Sequence, residues 1–355
     1  MKKTSLLKSV LLLCALVAGS GSVWADVTDE ITADDLVATN TTYRDFSDVT
    51  ITSTAVYAGN SAKSSAGGIQ LRSKSSNSGI VSTVSGGKVK SVTITVESGS
   101  NTIDVYGNNK AYAAASDLYS GTAATKGTKV GSLTATGTVS FSGKNFDYVG
   151  IRSNSGAIYI TSIEIEWETV DATFASGKTM ISFSNAKALN LTTASLPSGI
   201  AAYKMTAADA SSVTLTAINS NVEANTGVIL TGTQGTTYKI PVTATSGTDI
   251  SATNLLVASD GTSNVTNAYV LSGGKFHPVA AGGIVIPAGK AYLPAGSISS
   301  AHELDIIFDE ETTGIKAVDD APQFLDGTFY DLQGRKVAQP TKGMYIVNGK
   351  KVIIK

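Results

Sequence analysis

Residues 148–168 read YVGIRSNSGAIYITSIEIEWE. Near its end, Ile163, Ile165 and Trp167 share one parity, and Glu164, Glu166 and Glu168 share the other. Successive side chains of a strand point to opposite faces, so this pattern describes a strand that buries one face and wets three carboxylates on the other. Upstream, Val149 and Ile151, then Ile158 and Ile160, flank Ser153-Asn154-Ser155-Gly156. Asn and Gly accept the positive φ of tight loops, so the spacing predicts a hairpin with Arg152 and Tyr159 facing outward.

The same alternation recurs in Val92-Thr93-Ile94-Thr95-Val96-Glu97. Elsewhere Val, Ile, Thr and Tyr come in short runs between Gly, Ser and Asn clusters, with 35 Gly, 7 Pro and only 15% charged residues. Long amphipathic helical stretches are missing. The reading is all-β: tandem β-sandwich modules, jelly-roll-like and then immunoglobulin-like or another sandwich, with a short C-terminal β unit.

At the N-terminus, Lys2, Lys3 and Lys8 precede an apolar run from Val10 to Ala18, and Val23 and Ala25 stand at −3 and −1 of a small-residue cleavage site. This predicts a signal peptide over 1–25, cut between Ala25 and Asp26. The single cysteine, Cys14, lies inside it, so the mature 330 residues (355 − 25) carry none. Structural thiolate metal sites are excluded, and each module must be held by its own core. Removing three lysines leaves 24 basic residues (27 − 3) against 28 acidic. With no basic tract, nucleic acid is not an expected partner. No second apolar segment approaches membrane-spanning length, so no transmembrane segment is expected after cleavage.

The expected modules are 26–168, 169–310, a linker at 311–321 and a C-terminal unit at 322–355. In the first, LRSKSSNSGI (71–80) faintly echoes IRSNSGAI (151–158). By parity, Arg72 leaves the core as Arg152 does. Arg beside Asn and Tyr on a sheet face can hydrogen-bond hydroxyls and stack on a sugar ring. The candidate ligand residues are thus Arg72, Asn77, Arg152, Asn154 and Tyr159; the alternative is that the arginines only solvate a sheet face.

The segments DFSDV (45–49), GGIQLRS (67–73), IDVYG (103–107), DLYS (117–120) and YVGIRSNSGAIYITSIEIEW (148–167) resemble galactose-binding-like jelly-roll modules of secreted Bacteroidetes proteins. The resemblance implies carbohydrate binding or a spacer role. Residues 169–178 are small and polar, and mark the expected boundary. The strings at 238–257 and 268–294 resemble a β module that often precedes the C-terminal tail of such surface proteins, and imply a spacer.

In the tail, Asn348-Gly349 between apolar runs predicts a type I′ hairpin. FYDLQGRKV (329–337) and PTKGMYIVNGKKVIIK (340–355) resemble the C-terminal sorting domain of the type IX secretion system. The matching positions are Tyr330, Asp331, Leu332, Gly334, Arg335, Gly343, Tyr345, Asn348 and Gly349. The resemblance implies the secretion machinery as a partner. The protein is then secreted or held at the outer cell surface, after export through the periplasm.

Catalytic signatures are missing from the sequence. His277 and His302 lie in separate predicted strands, and no G-x-S-x-G, G-x-G-x-x-G or phosphate-loop pattern occurs. No metal, cofactor or catalytic residue is expected, although a carboxylate pair for glycoside hydrolysis is not visible to sequence reading. The expectation is a non-enzymatic exported protein that binds a glycan or another extracellular ligand. The alternatives are a structural or adhesive spacer and, less favoured, a hydrolase.

Overall fold

The structure, a computed structural model, describes residues 26–36, 41–73, 78–296, 298, 302–309, 315–318, 329–331, 335–337, 342–347 and 350–354. The expected signal peptide, Asn77 and most of the expected linker lie outside them. The chain divides into two compact units, one ending at Ile306 and one beginning at Ile307. As expected, the architecture is all-β, with several sheets.

Eleven strands build the first part. They are β1 (Val27–Ile31), β2 (Arg44–Thr50), β3 (Val56–Lys63), β4 (Ile69–Arg72), β5 (Gly79–Val84), β6 (Lys88–Ser98), β7 (Ile103–Asn108), β8 (Thr128–Leu133), β9 (Gly137–Ser140), β10 (Tyr148–Ser153) and β11 (Ala157–Thr173). Hydrogen bonding runs in the order β8-β7-β10-β5-β3-β4-β11-β6-β9, with β2 added to β3 and β1 to β11. The two ends of this path are joined by residues 134–136, so the sheet is nearly closed. β3 pairs with β5 through Val56–Asn60 and then with β4 at Ala62 and Lys63, which carries the sheet from one side of the core to the other. Tyr57, Ile80, Val105, Val149 and Ile151 enter the core from one side, and Ile31, Val92, Ile94, Ile160, Ile163, Ile165 and Trp167 from the other.

Two expectations are corrected here. β10 and β11 form no hairpin: β10 pairs with β5 and β7, and β11 with β4, β6 and β1. Both strands bury alternate residues in the same core from opposite sides, so Asn154-Ser155-Gly156 crosses between sides instead of reversing within one. Glu168 is not a solvated carboxylate either. It is 9% exposed and takes the ammonium groups of Lys187 and, at 3.9 Å, Lys88.

The reason is the course of β11, a 17-residue strand roughly 55 Å long. Ile163, Ile165 and Trp167 fill the first core, whereas Val170, Ala172 and Phe174 fill a second. The parity changes between Trp167 and Val170, so the strand buries first one face and then the other. The expected boundary at 168/169 is thus a change of core within an unbroken strand. Residues 169–173 pair with Thr237–Pro241. The small residues that marked a linker are core and ladder positions.

The expected single sandwich over 169–310 has, among the described residues, three hydrophobic clusters of its own. Met180–Phe183, Val228–Thr231, Ala201–Ala208 and Ser212–Ala217 lie in that order in one sheet. Val228 and Leu230 join the second core, and Ile229 joins a third with Met205, Leu215, Tyr269 and Phe276. A strand buried on both faces reads as a continuous apolar run, as Val228-Ile229-Leu230 does. The Ser272–Lys275 pairing closes a tight hairpin through Gly273 and Gly274, at φ 59° and 82°.

The second unit is a five-stranded sheet. Gly343–Val347 pairs antiparallel with Lys350–Ile354 and with Phe329–Tyr330, and the latter pairs with Lys336–Val337. Val347 pairs directly with Lys350, so only residues 348–349 separate these strands. Asn348, Gly349, Leu332 and Gly334 lie outside the described residues. Asp331 and Arg335 close their turn through a 2.7 Å ion pair, and Phe329 meets Tyr345 edge-on at 5.9 Å. The linker at 311–321 is corrected: Ile315–Val318 is a strand, parallel to Lys350–Ile354. The short alternating IKAV segment supplies an edge that the acidic residues around it obscured.

Asp29 ties the first core together. It stands opposite Ile165 on the inward face and is wholly buried. Its carboxylate accepts from the N–H groups of Thr52 (2.9 Å) and Ser53 (2.7 Å), the Ser53 hydroxyl (2.6 Å), the Tyr57 hydroxyl (2.6 Å) and Trp167 Nε1 (3.0 Å). Burial, and then the Asp29 charge, push the Tyr57 hydroxyl well above its ordinary pKa, so it stays a donor. Asp29→Ala strands these donors in an apolar core. It is expected to cost about 3–5 kcal/mol of stability in urea unfolding of the whole chain. Asp34→Ala, which breaks an exposed ion pair to Lys63, is expected to leave the midpoint unchanged. Equal effects of the two would contradict this reading.

Candidate binding site

The outer face of the β7-β10-β5-β3 side is not left to solvent. Tyr106, Val81 and Ala58 lie on it, and the excursion between β7 and β8 covers them with Tyr112 and Leu118. The covering turn, Ala115–Tyr119, is a 3-10 helix. Leu118 is fully buried because Gly150 beneath it lacks a side chain; a Cβ there would lie 2.4 Å from Leu118 Cδ2. The excursion is anchored by hydrogen bonds from the Tyr112 hydroxyl to the Lys126 carbonyl (2.9 Å) and from the Tyr119 hydroxyl to the Ser78 carbonyl (2.8 Å).

Arg152 emerges at the rim of this small core. It stands opposite Asp104 on β7, and its guanidinium carbon lies 4.7 Å from the Tyr119 ring centre and 5.6 Å from that of Tyr106. Its Nε is buried and meets no acceptor. The nearby Asp104 is already engaged by the Ser132 hydroxyl (2.7 Å), the Tyr106 hydroxyl (3.3 Å) and Lys129 (3.6 Å). Two ring contacts contribute roughly 0.5–2 kcal/mol each, against about 1–3 kcal/mol for a buried donor without a partner. The rings and the Tyr106 hydroxyl, which is hydrogen-bonded to the guanidinium, thus hold Arg152 in place and leave its Nε unsatisfied.

Arg72, on β4, repeats the motif: its guanidinium carbon lies 5.0 Å from the Tyr43 ring centre. The Tyr43 hydroxyl is buried and has no partner. Burial pushes its pKa up to about 12, with Arg72 opposing the rise and Tyr159 and Tyr119 adding to it. Burial also raises Tyr106 and Tyr119, in both cases against the Arg152 charge. The electrostatic influence of Tyr159 and Tyr119 on Tyr43 relates the Arg72–Tyr43 pair to the Arg152–Tyr119–Tyr106 group. Asn60, opposite Gly79 on the same outer face, donates to Asp45 (2.8 Å) but leaves its own buried Oδ1 without a donor.

Of the residues expected from sequence, Arg72 lies over Tyr43, on whose ionisation Tyr159 also acts, and Arg152 lies over Tyr106 and Tyr119. Asn154 is exposed in the β10–β11 connection, with its N–H donating to the Thr102 carbonyl at 2.8 Å. Asn77 lies outside the described residues. Asp26 pairs with Lys90 on the other side of the sheet path. Sequence reading missed Tyr43, Tyr106, Tyr119 and Asn60. Tyr106 shares parity with Asp104, which was the available signal; nothing local marked Tyr43.

Two concavities lie elsewhere. One, of about 250 Å³, is walled by Met180, Val270 and Ile286. The other, of about 440 Å³, lies between Lys88, Lys187 and the 243–247 turn. In the second, both lysines are turned to Glu168, and Asp147 accepts from the Thr243 hydroxyl (2.8 Å) and the Ala244 N–H (2.6 Å). Those groups hold the two cores together, whereas the tyrosine–arginine rim keeps polar atoms unspent. Concavity and chemistry therefore disagree, and the rim is the better site.

Tyr43→Phe is expected to remove one phenol that ionises near about 12 from the ultraviolet titration of the folded chain, with the unfolding midpoint retained. A Tyr43 hydroxyl that titrates at the ordinary tyrosine value would contradict the burial of that atom. No family model matches this chain, and no curated protein matches it in sequence.

Proposed function

We propose that this is an exported, non-enzymatic modular protein whose first module binds a carbohydrate at the tyrosine–arginine rim. The observation that carries the reading is Arg152: held over the Tyr106 and Tyr119 rings, it keeps a buried Nε without an acceptor. Aromatic faces suit the C–H face of a sugar ring, and fixed donors and acceptors suit its hydroxyls. Export rests on the N-terminal pattern, and delivery to the surface on the resemblance of the tail. A spacer role is the second reading. It is favoured by β11, which makes one stiff ladder of two cores.

A glycan array probed with residues 26–355 is expected to give hits that Arg152→Ala abolishes while the fold is retained. Truncation at 168 is unsuitable, because it cuts β11. Silence across the array, or hits indifferent to Arg152, would favour the spacer. Deletion of residues 315–355 is expected to hold the protein in the periplasm; unchanged surface delivery would contradict the sorting role of the tail.

A further inference from the structure

Arg152 is a partly buried cation, and among the described residues it forms no ion pair. Its cross-strand neighbour Asp104 is 2% exposed, and its oxygens are taken by Ser132, Tyr106 and Lys129. Withdrawing a charge from water without a counter-charge is unfavourable. The tyrosine rings offset part of this through their faces, and the Tyr106 hydroxyl meets the guanidinium, but Nε is left without an acceptor. Arg72, stacked on Tyr43, is a second guanidinium in the related pair.

Asn60 narrows the choice. Ile151 faces Ile80 and Asn60 faces Gly79, so Arg152 and Asn60 stand on one face about 10 Å apart, on either side of β5, with Leu118 and Ala115 of the excursion lying over Gly79 between them. The buried Oδ1 of Asn60 meets no donor within the chain, and because it accepts and cannot donate, a ligand group suited to it is a donor. Phosphate or sulfate alone supplies acceptors only. A sugar acid supplies both a planar carboxylate for a guanidinium and hydroxyl donors for an amide oxygen.

We infer that the ligand of the rim is an acidic saccharide, a uronic-acid-containing glycan whose carboxylate pairs with Arg152. This rests on the carbohydrate reading above and specifies its class. The test is calorimetric titration of residues 26–355 with uronate oligosaccharides (glucuronate, galacturonate and mannuronate series) and with their carboxyl-reduced counterparts, which keep every hydroxyl and lose the charge. An acid form bound about tenfold or more tightly than its reduced counterpart, with the preference lost in Arg152→Gln, is the expected result. Three results would overturn the inference: equal affinity for the two forms, an acid preference that survives Arg152→Gln, or binding of neither. In each case Arg152-dependent hits from neutral glycans on the array would leave the carbohydrate reading standing. Arg152→Gln must keep the unfolding midpoint of the parent chain, and Arg152→Lys, which keeps the charge without the planar fork, is expected to recover only part of the preference.

Discussion

Strand β11 buries one face and then the other, and the first two cores are arranged around that change. Up to Trp167 its inward residues complete the sandwich that carries the rim; from Val170 its opposite residues begin the next core. A strand's period of two leaves no freedom here. A one-residue slip would put Trp167 in solvent and Glu168 in the apolar interior. Glu168 sits at the changeover, which explains why it is buried and why Lys88 and Lys187 converge on it. The Asp147 contacts to Thr243 and Ala244 reinforce the junction. Burial outweighs these hydrogen bonds and holds the Asp147 carboxyl above its ordinary pKa.

The first core, in which no cysteine stands, also shows how a sandwich closes without a disulfide. A buried carboxylate normally destabilises. Asp29 avoids this because five donors from the 52–53 loop, β3 and β11 converge on it. The network fixes the Trp167 ring and pins β1 beside β11. It does work that a covalent cross-link does in many exported domains, with geometry in place of a bond.

The sequence made the strand class and much of the first core legible, because Ile163, Ile165, Trp167, Val92 and Ile94 alternate without interruption. It hid three things. The residues after Trp167 are small and polar enough to pass for a linker, so the change of buried face at 168–170 was not visible. The Asn154-Ser155-Gly156 connection has hairpin chemistry, but local turn preference is silent on which sheet the next strand joins. Ile315–Val318 lies among acidic residues, and its pairing with the last strand is a non-local fact. The site divides the same way. Arg72, Arg152 and Tyr159 were reachable by parity; Tyr43 and Tyr119 come from a strand entry and a loop excursion that only the tertiary fold brings to the rim.

Arg152 links the scaffold to the proposed site. Gly150 admits Leu118, Leu118 seats the excursion, the excursion places Tyr119 over Arg152, and the guanidinium is left with its Nε unsatisfied. The most direct measurement is the Nε–Hε resonance of Arg152 in the ¹⁵N-labelled protein during a saccharide titration. The account predicts that this signal shifts and gains protection from solvent exchange as the sugar binds. A bound sugar that moves other resonances and leaves the Arg152 signal in place would contradict it.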